Sequence, residues 1–246
     1  MNSGGSVYVL ASRMIGQNKR MDMVADNVAN ANTHGFKRLT QDMKETIGGT
    51  PVHPAGSFTE NKPVRIVFED GTLERTDNMY DLALQGEGFF AVQDKASGQP
   101  KYSRLGSFQL DIGGNLTTVD GEQVLDINNA PINLPQDKTV SIARDGSIST
   151  EDGLLTRIGV YTFADPQKLV RAGNGVYYND PATNPPQPVQ NPQVFQGSLE
   201  GTNVNPILET AQMTAALRAY QSAVRAMTTI EDSETTAIRD LARIPQ

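Results

Sequence analysis

Chemistry near neutral pH needs a base, a nucleophile or a set of metal ligands, and this chain supplies few of each. Its histidines are His34 and His53. His34 falls in a polar, helix-ending turn and His53 lies between Pro51 and Pro54, and neither has an acidic partner nearby in sequence. An imidazole-centred catalyst or a three-histidine zinc site is therefore not expected. The chain has no cysteine, which excludes thiolate nucleophiles, disulfide frameworks and thiolate metal sites. The Asp-Gly steps at Asp70-Gly71, Asp120-Gly121, Asp145-Gly146 and Asp152-Gly153 invite a calcium reading, because loop carboxylates suit hard cations. Their spacing fits neither an EF-hand loop nor a glycine-aspartate nonapeptide array, so they read as hairpin turns and no metal is expected. The pairs Glu69-Asp70 and Glu151-Asp152 sit at such turns, where carboxylates are solvated rather than tuned for proton transfer. Gln85-Gly-Glu-Gly88 resembles a phosphate loop only superficially, since Phe89-Phe-Ala-Val92 follows as a strand and no helix N-terminus is there to hold an anion. The reading is of no catalytic residue and no cofactor.

The elements around these residues say more than the residues do. Val7, Leu10, Met14, Met21, Val24 and Val28 recur at steps of three and four, apart from Gln17, which predicts an amphipathic helix from Ser6 onward. The run Asn30-Ala-Asn-Thr-His-Gly35 should end it, with Gly35 in the place of a C-cap glycine. At the other end, Asn205-Pro206 combines an N-cap with proline at the first helical position. A long helix should follow, with Met213, Leu217, Tyr220, Val224, Met227, Ile238 and Leu241 as its seam. Alanines at 211, 215, 216, 219, 223 and 226 permit close packing on several sides. Tyr8, Phe36 and Tyr220 read as packing residues. Two such helices can pair within one chain, yet their remaining apolar and alanine-rich faces would still seek partners, which points to self-assembly.

Between the helices, short alternating runs punctuated by turn dipeptides, the four Asp-Gly steps and Gly113-Gly114, predict antiparallel β structure. Candidate strands are Val64 to Phe68, Leu82 to Gln85, Gly88 to Gln93, Tyr102 to Leu105, Phe108 to Asp111, Val140 to Ile142, Arg157 to Phe163 and Val176 to Tyr178. Pro181 to Pro192 is proline-rich and reads as an extended connector. The fold class is α+β: a central all-β domain at 76–180, connectors at 35–75 and 181–202, and terminal helices at 1–34 and 203–246 that pair as a coiled-coil-like assembly domain.

At 246 residues the chain is long enough for a substantial core, and its net charge of -7 disfavours a nucleic-acid surface. The acidity is concentrated in residues 46–202, which carry -8, against +2 for 1–45 and -1 for 203–246. A solvated acidic face is the simplest account, since charge also keeps β edges from aggregating. No run approaches the roughly 18 apolar residues of a spanning helix, and Val7 to Ala11 is too short for a signal-peptide core. Neither membrane insertion nor a cleaved signal is expected.

Several stretches together carry a family resemblance. Met21-Asp-Met-Val-Ala-Asp-Asn-Val-Ala-Asn-Ala-Asn-Thr-His-Gly-Phe-Lys37 resembles the N-terminal signature of the bacterial flagellar axial proteins, and Asp81-Leu-Ala-Leu-Gln-Gly-Glu-Gly-Phe-Phe90 resembles their central motif. Tyr102 to Phe108 and Gly114-Asn-Leu116 look like the next hairpin, and Gly197-Ser-Leu-Glu-Gly-Thr-Asn-Val-Asn205 looks like the C-terminal element. The resemblance runs end to end, with mild departures at Asp26 and Thr202. Within the family the length and the tract Met21 to Lys37 are most similar to a proximal-type flagellar basal-body rod protein, with the distal rod subunit as the alternative. The matching motif positions are Asn27, Asn30, Thr33, Gly35, Phe36, Gly86, Gly88, Phe89, Asn203 and Asn205.

What the resemblance implies is a structural, non-enzymatic part that polymerises through its terminal helices and transmits torque between motor and hook. Its implied partners are other rod proteins, copies of itself and the flagellar type III export apparatus; its implied location is the basal body in the periplasm. Two other classes remain open on the residues alone: a multimerising β binding or adhesion module, and a glycan hydrolase, which would need two carboxylates about 5–10 Å apart in a cleft.

Overall fold

The computed structural model describes residues 3–47, 57–173 and 175–241, so His53 lies outside the described residues. Two helices, α1 (Ser3–Ala29) and α2 (Pro206–Leu241), bracket a long antiparallel β region. This is the expected α+β arrangement. The chain divides into two compact units, one made of Met1–Ala29, Leu39–Val67 and Asn205–Gln246, the other of Asn30–Arg38 and Phe68–Val204. The stretches read from sequence as connectors are thus shared out: residues 39–67 group with the helices, while 35–38, 68–75 and 181–202 belong to the β-rich unit.

In the first unit α2 starts as its local sequence dictates. Asn205 Oδ1 accepts hydrogen bonds from the amides of Ile207 and Leu208 at 3.1 and 3.2 Å, which satisfies two donors that a helix start leaves unpaired. The end of α1 differs from expectation. Regular helix stops at Ala29, six residues before Gly35, so Gly35 is not its capping residue. The chain leaves through two successive turns, closed by Thr33 N to Asn30 O at 3.0 Å and Phe36 N to Thr33 O at 3.2 Å, with Gly35 at φ +68 in the second. After Arg38 an antiparallel ladder pairs Leu39–Thr40 with Arg65–Ile66 and Met43–Ile47 with Ser57–Asn61. Contacts between α1 and Ser57–Asn61 hold that ladder against the helix.

The β-rich unit is built around strand Phe89–Gln93, which pairs with Pro100–Ser103, Gln123–Val124 and Val160–Thr162. Four of the Gly-containing turns expected from sequence do reverse the chain: Gly114, Gly121, Gly146 and Gly153 all have positive φ between paired strands. Asp70-Gly71 does not. The strands on either side of it pair elsewhere, Arg65–Ile66 with Leu39–Thr40 and Leu73–Arg75 with Ser198–Glu200. Gly71 instead allows close passage, since a Cβ there would lie 1.9 Å from the Gly201 carbonyl oxygen. The proline-rich stretch contributes one short strand, Gln187–Pro188, paired with Val160–Thr162. An apolar core that includes Leu82, Leu84, Phe90, Phe108, Ile148 and Val194 lies within this unit.

Candidate functional site

The most concentrated polar chemistry in the β-rich unit surrounds Glu200, fully buried on strand Ser198–Glu200. Its Oε1 accepts a 2.6 Å bond from Lys37 Nζ and a 3.0 Å bond from the Gly71 amide, while Oε2 lies 3.3 Å from Arg104 Nη1. Lys37 also donates to the Glu69 carbonyl at 2.7 Å, and Arg104 Nη2 donates to the Gly86 carbonyl at 2.6 Å. The backbone joins in, because the Gly35 amide donates to the Glu200 carbonyl at 2.7 Å. Burial drives the Lys37 pKa down, against the pull of the Glu200 carboxylate, which raises it. Four stretches distant in sequence, 35–37, 69–71, 86–104 and 197–203, therefore meet around one carboxylate. Such an arrangement fixes a conformation rather than preparing a reaction, since every oxygen of Glu200 is already engaged.

The motif glycines and aromatics frame this cluster. Gly86 has φ +85, and its amide donates to Asp70 Oδ2 at 2.8 Å. Gly88 has φ +145, and a Cβ there would reach within 2.8 Å of Val160 Cγ1. The Phe89 ring packs edge-on to Phe68 and Tyr177, with the Arg104 guanidinium 5.3 Å from its centroid. Phe36 is buried beneath the Arg171 guanidinium at 4.9 Å. Asn203 bridges two non-strand stretches by accepting from the Arg38 amide at 2.7 Å and donating to the Glu69 carbonyl at 3.0 Å. Thr33 Oγ1 bonds to Asn30 Oδ1 at 3.3 Å within the turn. His34 has a partner that the sequence did not suggest, Glu74 at 3.3 Å, on an exposed surface.

In the helical unit, buried Asn27 of α1 donates from Nδ2 to Leu39 O at 2.9 Å and to Glu209 Oε2 at 3.2 Å. Asn27 lies two residues from the end of α1 and Glu209 in the first turn of α2, so the helices pack side by side and run in opposite directions. Of the α1 seam, Val24 is fully buried, and Val7, Leu10, Met14, Met21 and Val28 are half-buried. On α2 the buried residues are Glu209, Ala216 and Ala223, spaced by seven. Tyr220, Val224 and Met227 flank them half-buried, whereas Met213, Leu217 and Ile238 are exposed; Leu241 is the last residue of the helix. The sequence reading gave this face to the larger side chains, although the alanines already flagged close packing.

Surface hollows among the described residues include two lined in part by charged residues. One, of about 340 Å³, is lined by Asp94, Asp111, Lys95 and the glycines 98 and 121. Lys101 holds the Asp94 carboxyl at about 2, and hydrogen bonds from Asn115 lower that of Asp111. Both carboxyls are thus ionised near neutral pH. The other hollow, of about 530 Å³, lies in the helical unit between Met23, Asp26, Leu39, Lys62 and Val64. Among the described residues no group of His, Asp and Glu is arranged to hold a metal ion.

Paired terminal helices and a β unit whose two chain ends are tied at Glu200 define an axial-type structural subunit. Comparison with known proteins agrees along the chain. Residues 7–37 match the family described as flagella basal body rod protein, 83–150 the flagellar hook protein FlgE/F/G D1 domain, and 196–240 the flagellar basal body rod FlgEFG protein C-terminal region. The flagellar basal-body rod protein FlgF of Caulobacter vibrioides is 34% identical over 97% of this chain and 98% of its own. FlgF of Mesorhizobium japonicum is 33% identical over 96% and 97%, and the rod protein FlgG of Bacillus subtilis is 31% identical over 92% and 95%. The chain belongs to the flagellar basal-body rod protein family and is a structural rod component.

Proposed function

We propose that this chain is a proximal-type subunit of the flagellar rod that polymerises through its terminal helices and carries torque from motor to hook without catalysing a reaction. The observation that carries the reading is the apolar surface left over once α1 and α2 have paired. The contact face of α2 is centred on Glu209, Ala216 and Ala223, so Met213, Leu217 and Ile238 remain outward, the last at 67% exposure. On α1, Tyr8 and Ile15 are outward as well. Apolar residues repeated along two helices, exposed among the described residues, are suited to neighbouring subunits whose head-to-tail contacts build a helical filament.

Its partners in this reading are further copies of itself and other rod proteins, in the basal body where it crosses the periplasm, reached through the flagellar type III export apparatus. The relatives named FlgF favour the proximal-type assignment and those named FlgG keep the distal rod subunit as the alternative. Against a glycan hydrolase stands the ionisation of both hollow carboxylates, Asp94 and Asp111, since that chemistry needs one carboxylic acid kept protonated. No helix among the described residues is long and apolar enough to cross a membrane. The test is Leu217→Glu combined with Ile238→Glu in the full chain. The variant should keep wild-type helix content but be missing from purified basal bodies and fail to restore swimming; normal incorporation would remove the helices from the assembly role.

A further inference from the structure

We propose that residues 193–204 are a latch that closes the β-rich unit last, engaged when Glu200 delivers its carboxylate to the two buried cations Lys37 and Arg104. The inference concerns how this unit is completed and does not depend on the rod reading.

Lys37 and Arg104 have essentially no exposed side-chain surface, and Glu200 is the buried carboxylate that bonds both. Beyond Glu200, Arg104 has neutral partners in the Gly86 carbonyl and the Phe89 ring, and a second carboxylate only in Asp70, more than a third exposed and 3.7 Å away; its buried Nε has no hydrogen-bond partner among the described residues. Sealing two cations from water without an anion is prohibitively unfavourable, whereas hydrated on an open surface they carry no such penalty. Their burial must therefore wait for Glu200. The same arrival satisfies the amides of Gly35 and Gly71, and the Gly201 amide then donates to Thr72 O at 2.7 Å. It also brings strand Gln193–Gln196 onto Leu82–Gln85 in four paired positions.

Chain connectivity sets the order. Glu200 is separated from Lys37 by 163 residues and from Arg104 by 96. The hairpins Phe108–Leu110 with Leu116–Thr118, and Leu116–Thr118 with Gln123–Val124, close over a few residues each. Local pairings form before those that must close long loops. The half of the unit around Thr118 and Ile132, whose amides donate to nearby Glu122 O at 2.8 Å and Val124 O at 3.0 Å, can thus assemble while the latch is still open.

Pulse-labelling hydrogen exchange during refolding of the full-length chain tests this directly. In the wild type the Gly35 and Gly201 amides should become protected at least about tenfold later than those of Thr118 and Ile132. In Glu200→Gln the delay should lengthen selectively at Gly35 and Gly201. In Glu200→Gln with Lys37→Met, which removes one stranded cation, it should shorten again. Glu151→Gln, an exposed carboxylate at a hairpin turn elsewhere in the same unit, is the control and should change nothing at those amides. If Glu200→Gln does not refold, Glu200→Asp, which keeps the charge on a shorter arm, should still protect the latch amides last. Simultaneous protection of all four amides in the wild type would overturn the latch, and failure of Lys37→Met to shorten the delay would overturn its electrostatic trigger.

Discussion

Asn27 and Leu39 exchange two hydrogen bonds, Leu39 N to Asn27 Oδ1 at 2.8 Å and Asn27 Nδ2 to Leu39 O at 2.9 Å, so a side chain on α1 pairs with a backbone as a neighbouring strand would. The second Nδ2 proton reaches Glu209 at the start of α2. One amide therefore ties together α1, α2 and the ladder beginning at Leu39.

Asn27→Ala should leave the Leu39 amide and carbonyl buried without those partners and cost about 2–4 kcal/mol, read as a lowered urea midpoint. Asn27→Asp should do no better despite its similar shape. It keeps one acceptor, loses the donor, and places a second carboxylate beside Glu209.

Gly35 and Gly86 both hold left-handed backbone, but for different reasons. At Gly86 (φ +85) a Cβ would meet nothing within 4 Å, so Gly86→Ala should cost only the conformational strain, about 1 kcal/mol. At Gly35 (φ +68) a Cβ would lie 2.7 Å from the Leu105 amide nitrogen, a backbone atom that cannot swing aside. Gly35→Ala should consequently destabilise the β-rich unit by clearly more than Gly86→Ala, and thermal unfolding of the two variants side by side checks the order.

What could be read from the sequence was what is decided locally. The Asn205-Pro206 helix start, the strand Leu82–Gln85 and four of the five glycine turns need only neighbouring residues, and the structure has all of them. Asp70-Gly71 failed as a turn because its glycine answers to Gly201, far away along the chain. Glu200 and Lys37 were visible only as letters in motifs, since their pairing spans 163 residues and burial of a charge leaves no periodic trace. How the seam of α2 divides was hidden for another reason. Bulky apolar spacing does not say which partner each residue meets: Ala216 and Ala223 are buried, Tyr220, Val224 and Met227 half-buried, and Met213, Leu217 and Ile238 exposed.

Acid should act on the β-rich unit through Asp94 and Asp145. Lys101 Nζ lies 2.6 Å from Asp94, and Arg157 Nη2 lies 2.8 Å from Asp145; each cation, helped by serine hydrogen bonds, holds its carboxyl at about 2. Both folded values are below those of the unfolded chain, so between them the unfolded state binds more protons. The stabilisation is fully present above about pH 4 and is lost as pH falls towards about 2. Asp94→Asn should therefore be less stable than wild type at neutral pH, and the gap should narrow as the wild type is acidified. Urea midpoints across that range would show it; parallel curves would mean that the Asp94–Lys101 pair contributes nothing that titrates.

Ala216 and Leu217 are adjacent in sequence and should respond oppositely to substitution. Ala216 is buried in the helical unit on the α2 face that meets α1, where closely packed helices leave no room for extra methylenes. Ala216→Leu should cost about 1–3 kcal/mol by overpacking although it adds apolar surface. Leu217 is 45% exposed and faces away from that contact, so Leu217→Ala should change the stability of the isolated chain by less than about 0.5–1 kcal/mol. Its effect should appear instead in assembly, as a higher protein concentration needed for polymerisation. If Leu217→Ala destabilised the isolated chain as strongly as Ala216→Leu, Leu217 would be part of the intramolecular core and the outward apolar stripe on α2 would lose its central member.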